Sequence, residues 1–182
     1  MPGETRLIAA RQLPVEARAL SVMNTIRPLT ASDVPGVADW IAAIPLWQRY
    51  HYTAARAAEG LYEALTRGDL LLTADCDGET ACGLVWCMPR GAFGRSTYLR
   101  LLGVRADFHG AGLGAALLDA AEQAAAHTRD MILLVSDFNH GAQRFYERQG
   151  YRQVGALPGY VLPDVTELIY RKRLSTSGES SG

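Results

Sequence analysis

The stretch Leu101-Leu-Gly-Val-Arg-Ala-Asp-Phe-His-Gly-Ala-Gly-Leu-Gly-Ala-Ala-Leu-Leu118 holds three signals in order. An apolar run ends at Val104, a polar bridge covers Arg105 to His109, and glycines follow at 110, 112 and 114. An Ala/Leu-rich helical pattern then begins, with Leu113, Ala116, Leu117, Ala120 and Ala124 on one face. Strand, glycine turn and helix start together form a cradle for phosphate. Glycine lets the backbone come close to a ligand. The first N–H groups of a helix have no partner within it, and they lie at the positive end of its dipole.

Working outward, Ser96–Val104 reads as the strand that feeds this turn. Upstream, Leu70–Cys76 and Thr80–Met88 read as a hairpin closed by Asp77-Gly78, with a loop from Pro89 to Gly94. A helix capped by Thr53 and ended by Gly68 precedes the hairpin. Before it lie a first strand at Asn24–Arg27 and a helix that Thr30 or Ser32 can cap, with Asp33 in its first turn and its end near Pro45. The two helices are joined by an aromatic-rich connection containing Leu46, Trp47, Tyr50, His51 and Tyr52. Downstream of the glycines, the continuous apolar run Met131–Val135 reads as a buried central strand. Asn139 caps a helix through Gln149, Gly150 ends it, and Tyr151–Leu157 and Val165–Arg173 are the last strands.

Composition narrows the functional classes. The 182 residues carry a net charge of −1, which predicts no strong overall field toward nucleic acid or an anionic membrane and leaves room only for local basic patches. No apolar run reaches the ~20 residues that span a membrane, so no membrane partner is expected. Cys76, Cys82 and Cys87 are odd in number and form no Cys-x-x-Cys pair. They read as reduced, buried thiols of a cytoplasmic protein. The histidines show no metal-ligand spacing, so no metal is expected. Residues 1–23 read as an N-terminal extension, with Met23 an alternative start. One domain is expected over 24–174, and the Ser/Gly-rich 175–182 reads as a disordered tail.

Gly110-Ala-Gly112-Leu-Gly114-Ala115 also satisfies a dinucleotide fingerprint. In that fold, however, the first glycine follows its strand directly and near the start of the sheet. Here the polar bridge intervenes, and too little chain remains for a second half. No Gly-Lys-[Ser/Thr] exists, which excludes a Walker A loop.

Two blocks carry a resemblance to a known family. The first is Leu102-Gly-Val104 with His109-Gly-Ala-Gly112-Leu-Gly114. The second is Asn139, Ala142 and Phe145-Tyr-Glu-Arg-Gln-Gly-Tyr151. Together they resemble the GNAT superfamily of acyl-CoA-dependent N-acyltransferases. The resemblance implies a mixed α/β (α+β) fold of order β-α-α-β-β-β-α-β-α-β-β. Its central, mostly antiparallel mixed sheet would have the fourth and fifth strands splayed apart. It also implies that acetyl-CoA is bound by Leu102, Gly103, Val104, His109, Gly110, Ala111, Gly112, Leu113, Gly114, Ala115, Asn139 and Tyr146. His109 stands where relatives carry Gln or Arg. Tyr146 would be the catalytic residue, protonating the departing sulfur, and the Val104 N–H would face the developing oxyanion.

Relatives often place a glutamate where this chain has Arg100 or Leu134. The base is therefore open among His51, Asp137, His140, Asp164 and Glu167. Trp47, Tyr50, Trp86, Tyr98, Arg100 and Tyr160 are the candidate acceptor contacts. The implied activity is acetyl transfer to the amine of a small molecule or amino-acid derivative, by direct attack in a ternary complex. Two alternatives stand beside it: a non-catalytic acyl-CoA sensor, and a protein or peptide N-acetyltransferase. The resemblance alone also implies a homodimer.

Overall fold

A computed structural model describes residues 25–174. The expectations for residues 1–23 and 175–182 lie outside the described residues. Strand β1 (Thr25–Pro28) leads into helices α1 (Val34–Ala43), α2 (Pro45–Arg49) and α3 (Ala54–Arg67). Strands β2 (Leu70–Cys76), β3 (Glu79–Ala92) and β4 (Ser96–Val104) follow. A single 3-10 turn at Ala106–Phe108 then precedes α4 (Leu113–Ala124), β5 (Asp130–Ser136), α5 (His140–Arg148), β6 (Arg152–Pro158) and β7 (Thr166–Arg173).

The seven strands form one sheet in the order β1-β2-β3-β4-β5-β7-β6. All neighbours are antiparallel except β4 and β5. Side chains alternate along the strands, so each face of the sheet buries its own set. Leu84, Trp86 and Leu101 pack with Val34, Val37, Ile41 and Leu61 of α1 and α3. Val85, Cys87, Leu99 and Leu133 pack with Leu113, Leu117 and Leu118 of α4 and with Tyr146 of α5.

Three local expectations differ from the structure. Asp33 occupies the N-cap of α1 but makes no capping bond into the helix. Its carboxylate instead accepts from the Thr30 N–H and hydroxyl and from Arg27, at 2.7–2.9 Å. The aromatic connection contains a one-turn helix, α2, started by Pro45. Finally, β3 continues through Pro89 to Ala92. Proline lacks the ladder N–H, but β2 has already ended, at Leu70 opposite Cys87, so there is no β2 residue for Pro89 to bond.

Candidate active site

The site starts at a defect in the sheet. Consecutive Trp86 and Cys87 of β3 face Leu101 and Leu99 of β4, which leaves Arg100 as the extra residue of a β-bulge. A bulge bends its strand and increases the local twist. Pairing of β4 with β5 runs from Thr97–Met131 to Leu99–Leu133 and stops there, although both strands continue. The two strands therefore part at Arg100. The Arg105 N–H donates to Cys82 O at 2.8 Å, so by strand alternation Val104 and Leu102 turn their backbone groups away from β3, toward the gap. His109 Nε2 lies 2.7 Å from Val104 O on that side.

The glycine loop sits at the end of the gap. Gly110 and Gly112 have φ of +83° and +77°, and a Cβ on either would meet nothing within 4 Å, so what they supply is conformation and open space. Gly112 is the N-cap of α4 and offers no side chain. The first intrahelical bond is Ala116 N–H to Gly112 O at 3.1 Å. The N–H groups of Leu113, Gly114 and Ala115 thus face outward without helical partners. A Cβ at Gly114 would make only ordinary contact with Phe145 and Val104, at 3.8 Å.

Where β4 and β5 part, a cavity of about 310 Å³ opens. Tyr98, Arg100 and Leu102 of β4, Leu134 and Ser136 of β5, and Asn139 and Tyr146 of α5 line it. Trp47, Tyr50, Tyr52 and Arg56 wall it from the α2–α3 side, and Val161 and Glu167 from the β6–β7 side. Two bonds tie those walls together. Tyr50 OH donates to Glu167 Oε1 at 2.5 Å, and Arg49 pairs with Asp164 at 3.1 Å while stacking on Phe138 at 4.0 Å. Ser136 Oγ lies 2.6 Å from Tyr50 OH. Glu167 is only 4% exposed. Burial, then the bond to Glu167, pushes the Tyr50 phenol up to about 12. Burial likewise holds the Tyr146 phenol well above its ordinary range, so it stays a proton donor at neutral pH.

Residues 35–151 match the profile of the acetyltransferase (GNAT) family. The chain belongs to this family. Its acyl donor is acetyl-CoA, and the chain is an acyltransferase. Solved structures agree on the fold. An aminoglycoside 6'-N-acetyltransferase complexed with coenzyme A has a TM-score of 0.68 at 18% identity, covering 82% of this chain and 97% of its own. The ribosomal-protein-S18-alanine N-acetyltransferase of Escherichia coli has 0.66 at 19%, with 88% and 99% covered. Ard1 of Thermoplasma volcanium has 0.68 at 22%, with 83% and 97% covered.

Against this GNAT frame, the sequence-predicted residues divide. Leu102, Asn139, Tyr146, Trp47, Tyr50, Tyr98 and Arg100 meet in the cavity. Asn139 caps α5, its Oδ1 accepting from the Ala142 N–H at 3.1 Å. Trp86 does not reach the cavity. It is 2% exposed in the core, its indole N–H donates to Asp69 at 2.9 Å, and Arg100 covers its ring at 4.8 Å. Tyr160 is 65% exposed, and the neighbouring Val161 takes the cavity-facing place. Of the five base candidates only Glu167 lines the cavity. Asp164 is engaged by Arg49, Asp137 receives the Thr166 N–H at 3.3 Å, and the His51 and His140 side chains are exposed. Sequence reading missed Ser136 and Arg56. Ser136 ends a central strand, where open α/β sheets place ligands. Arg56, in the first turn of α3, carries no such signal.

Proposed function

We propose that this GNAT enzyme is an N-acetyltransferase that moves the acetyl group of acetyl-CoA onto the amine of a small molecule, by direct attack in a ternary complex. The observation that carries the small-molecule reading is the bridged wall of the cavity. Tyr50–Glu167 and Arg49–Asp164 join the α2 segment to β7 and to the connection before it, which narrows one side of the cavity.

The residues present fit the donor. The outward N–H groups of Leu113, Gly114 and Ala115, with Gly110, Ala111 and Gly112 leading to them, suit its pyrophosphate. His109 would flank that loop. The backbone of Leu102, Gly103 and Val104 along the gap suits its amide-bearing arm, with Asn139 and Tyr146 opposite. When bound, acetyl-CoA supplies an activated acyl carbon and a thiol leaving group. The Val104 N–H is aimed into the gap, where a developing oxyanion needs a donor. Tyr146 keeps its proton and gives it to the departing sulfur.

The three cysteines are free and buried, and burial pushes the Cys76 and Cys87 thiols up to about 11 and 12. Unreactive reduced thiols support a cytoplasmic setting. Among the described residues no helix is long and apolar enough to cross a membrane. A homodimer belongs to the same proposal, checked by light scattering.

The test is an acceptor screen that follows free thiol release from acetyl-CoA. Turnover of small amines and none of N-terminal peptides is the expected result. Turnover of peptides alone overturns the reading, and tight CoA binding with no turnover of any amine favours a sensor.

A further inference from the structure

The cavity is electrically divided, and both of its poles lack a counter-charge. At its inner side Glu167 is buried and forms no ion pair among the described residues. Its Oε1 takes the Tyr50 hydroxyl. No described side chain or backbone group bonds its Oε2, and that oxygen is not among the buried unpartnered atoms, so it is open to the cavity. At the mouth, Arg56 and Arg100 are exposed, and neither has a carboxylate partner among the described residues. They share one neighbourhood. A Cβ on Gly60 would touch both the Tyr52 hydroxyl (3.4 Å) and the Trp86 ring (3.5 Å), and Arg100 lies over that same ring. Burial pushes the Tyr52 phenol up, and Arg100 and Arg56 both pull against it. Tyr98 stands between the poles. Burial raises its phenol, Arg100 lowers it, and Glu167 raises it again.

A largely buried carboxylate gains from a cation brought to it, and the two exposed arginines at the mouth, free of carboxylate partners among the described residues, can take an anion. One ligand answers both: a molecule with an ammonium at one end and a carboxylate at the other. β5 lies between β4 and β7, so with β4 and β5 parted at Arg100 the two backbones stand more than two strand spacings, over about 10 Å, apart, and Arg100 and Glu167 both line the cavity between them. Together with the small volume, this fits something the size of an amino acid. Trp47 and Tyr98 wall the space between and favour an aromatic or apolar body.

We propose that the acceptor is an amino carboxylate, its ammonium seated on Glu167 and its carboxylate held between Arg56 and Arg100. This rests on the small-amine reading above. Glu167 takes one proton from the ammonium and so frees the nitrogen lone pair. The C–N bond forms as the C–S bond breaks, and the sulfur takes its proton from Tyr146. The second nitrogen proton restores Tyr146. The products are the N-acetyl amino acid, the free thiol, and one proton released through Glu167.

Phenylalanine, phenylalaninamide and phenethylamine separate the poles in a thiol-release assay. The native enzyme should favour phenylalanine at least ~10-fold in kcat/KM over the other two. In the Arg56→Gln/Arg100→Gln double variant that ratio should fall toward one, while Arg100→Lys, which keeps the charge, should retain most of it. Glu167→Gln should lower kcat for phenylalanine ~100-fold, with the KM for acetyl-CoA unchanged. Equal use of the three amines by the native enzyme overturns the proposal, as does a ratio unmoved in the double variant; either leaves the small-amine reading standing. If none of the three turns over or binds the CoA-loaded protein by calorimetry, this proposal falls, while the small-amine reading rests on the wider acceptor screen.

Discussion

Tyr146 and Glu167 show what single residues contribute and how differently they can be read. Tyr146 is held edge-on between Phe145 and Tyr151, with ring centroids at 5.1 and 5.6 Å. Packing fixes its ring and burial keeps its proton. Tyr146→Phe keeps the packing and removes the proton. It is expected to lower kcat ~100-fold, with the KM for acetyl-CoA within about twofold and thermal stability little changed. Stopped thiol-release kinetics and a melting curve check this, and unaltered kcat removes the proton-donor role. Tyr146 was legible because it sits inside a dense local block, Asn139 to Tyr151. Glu167 was legible only as one of five base candidates. Nothing local marks it as buried, and only Tyr50, 117 positions away, shows why it is.

At the scale of elements, most of the chain could be read from local chemistry. The Asn139 and Thr53 side chains cap their helices by accepting from Ala142 and Arg56 N–H groups. Such signals lie within four residues of the structure they set. The bulge at Arg100 could not be read this way, because it exists only as a mismatch between β3 and β4. Nor could the passage of β3 through Pro89, which depends on where β2 stops. The bulge parts β4 from β5, and the loop leading into α4 completes the cradle. Gly112→Ala tests that loop. At φ +77° an L-residue is strained by about 1–2 kcal/mol, and the loop relieves it by shifting its N–H groups. The KM for acetyl-CoA should rise at least several-fold while kcat at saturation changes less. An unchanged KM would show that the helix start does not hold the donor.

Over the whole molecule, the two packed faces of the sheet bind stability to the protonation of groups far from solvent. Cys87 is fully buried, and burial raises its thiol to about 12. In the unfolded chain a thiol ionises near ~8.5. The folded state keeps the proton longer, so this contribution is complete below pH ~8.5 and is lost as pH rises toward the folded value. Across that window the unfolded chain releases a proton that the folded one holds, at ~1.4 kcal/mol for each pH unit. Tyr50 and Cys76 act in the same direction, the phenol from about pH 10 upward. Urea midpoints should therefore fall steadily from pH 8.5 to 11, while those between pH 6.5 and 8 owe nothing to these groups. Cys87→Ala should be less stable at neutral pH, because it leaves a small cavity beside Tyr146 and α4. Its stability should nevertheless decline more slowly with alkali, and the two curves should converge. Parallel curves would mean that the Cys87 thiol does not hold its proton in the folded core.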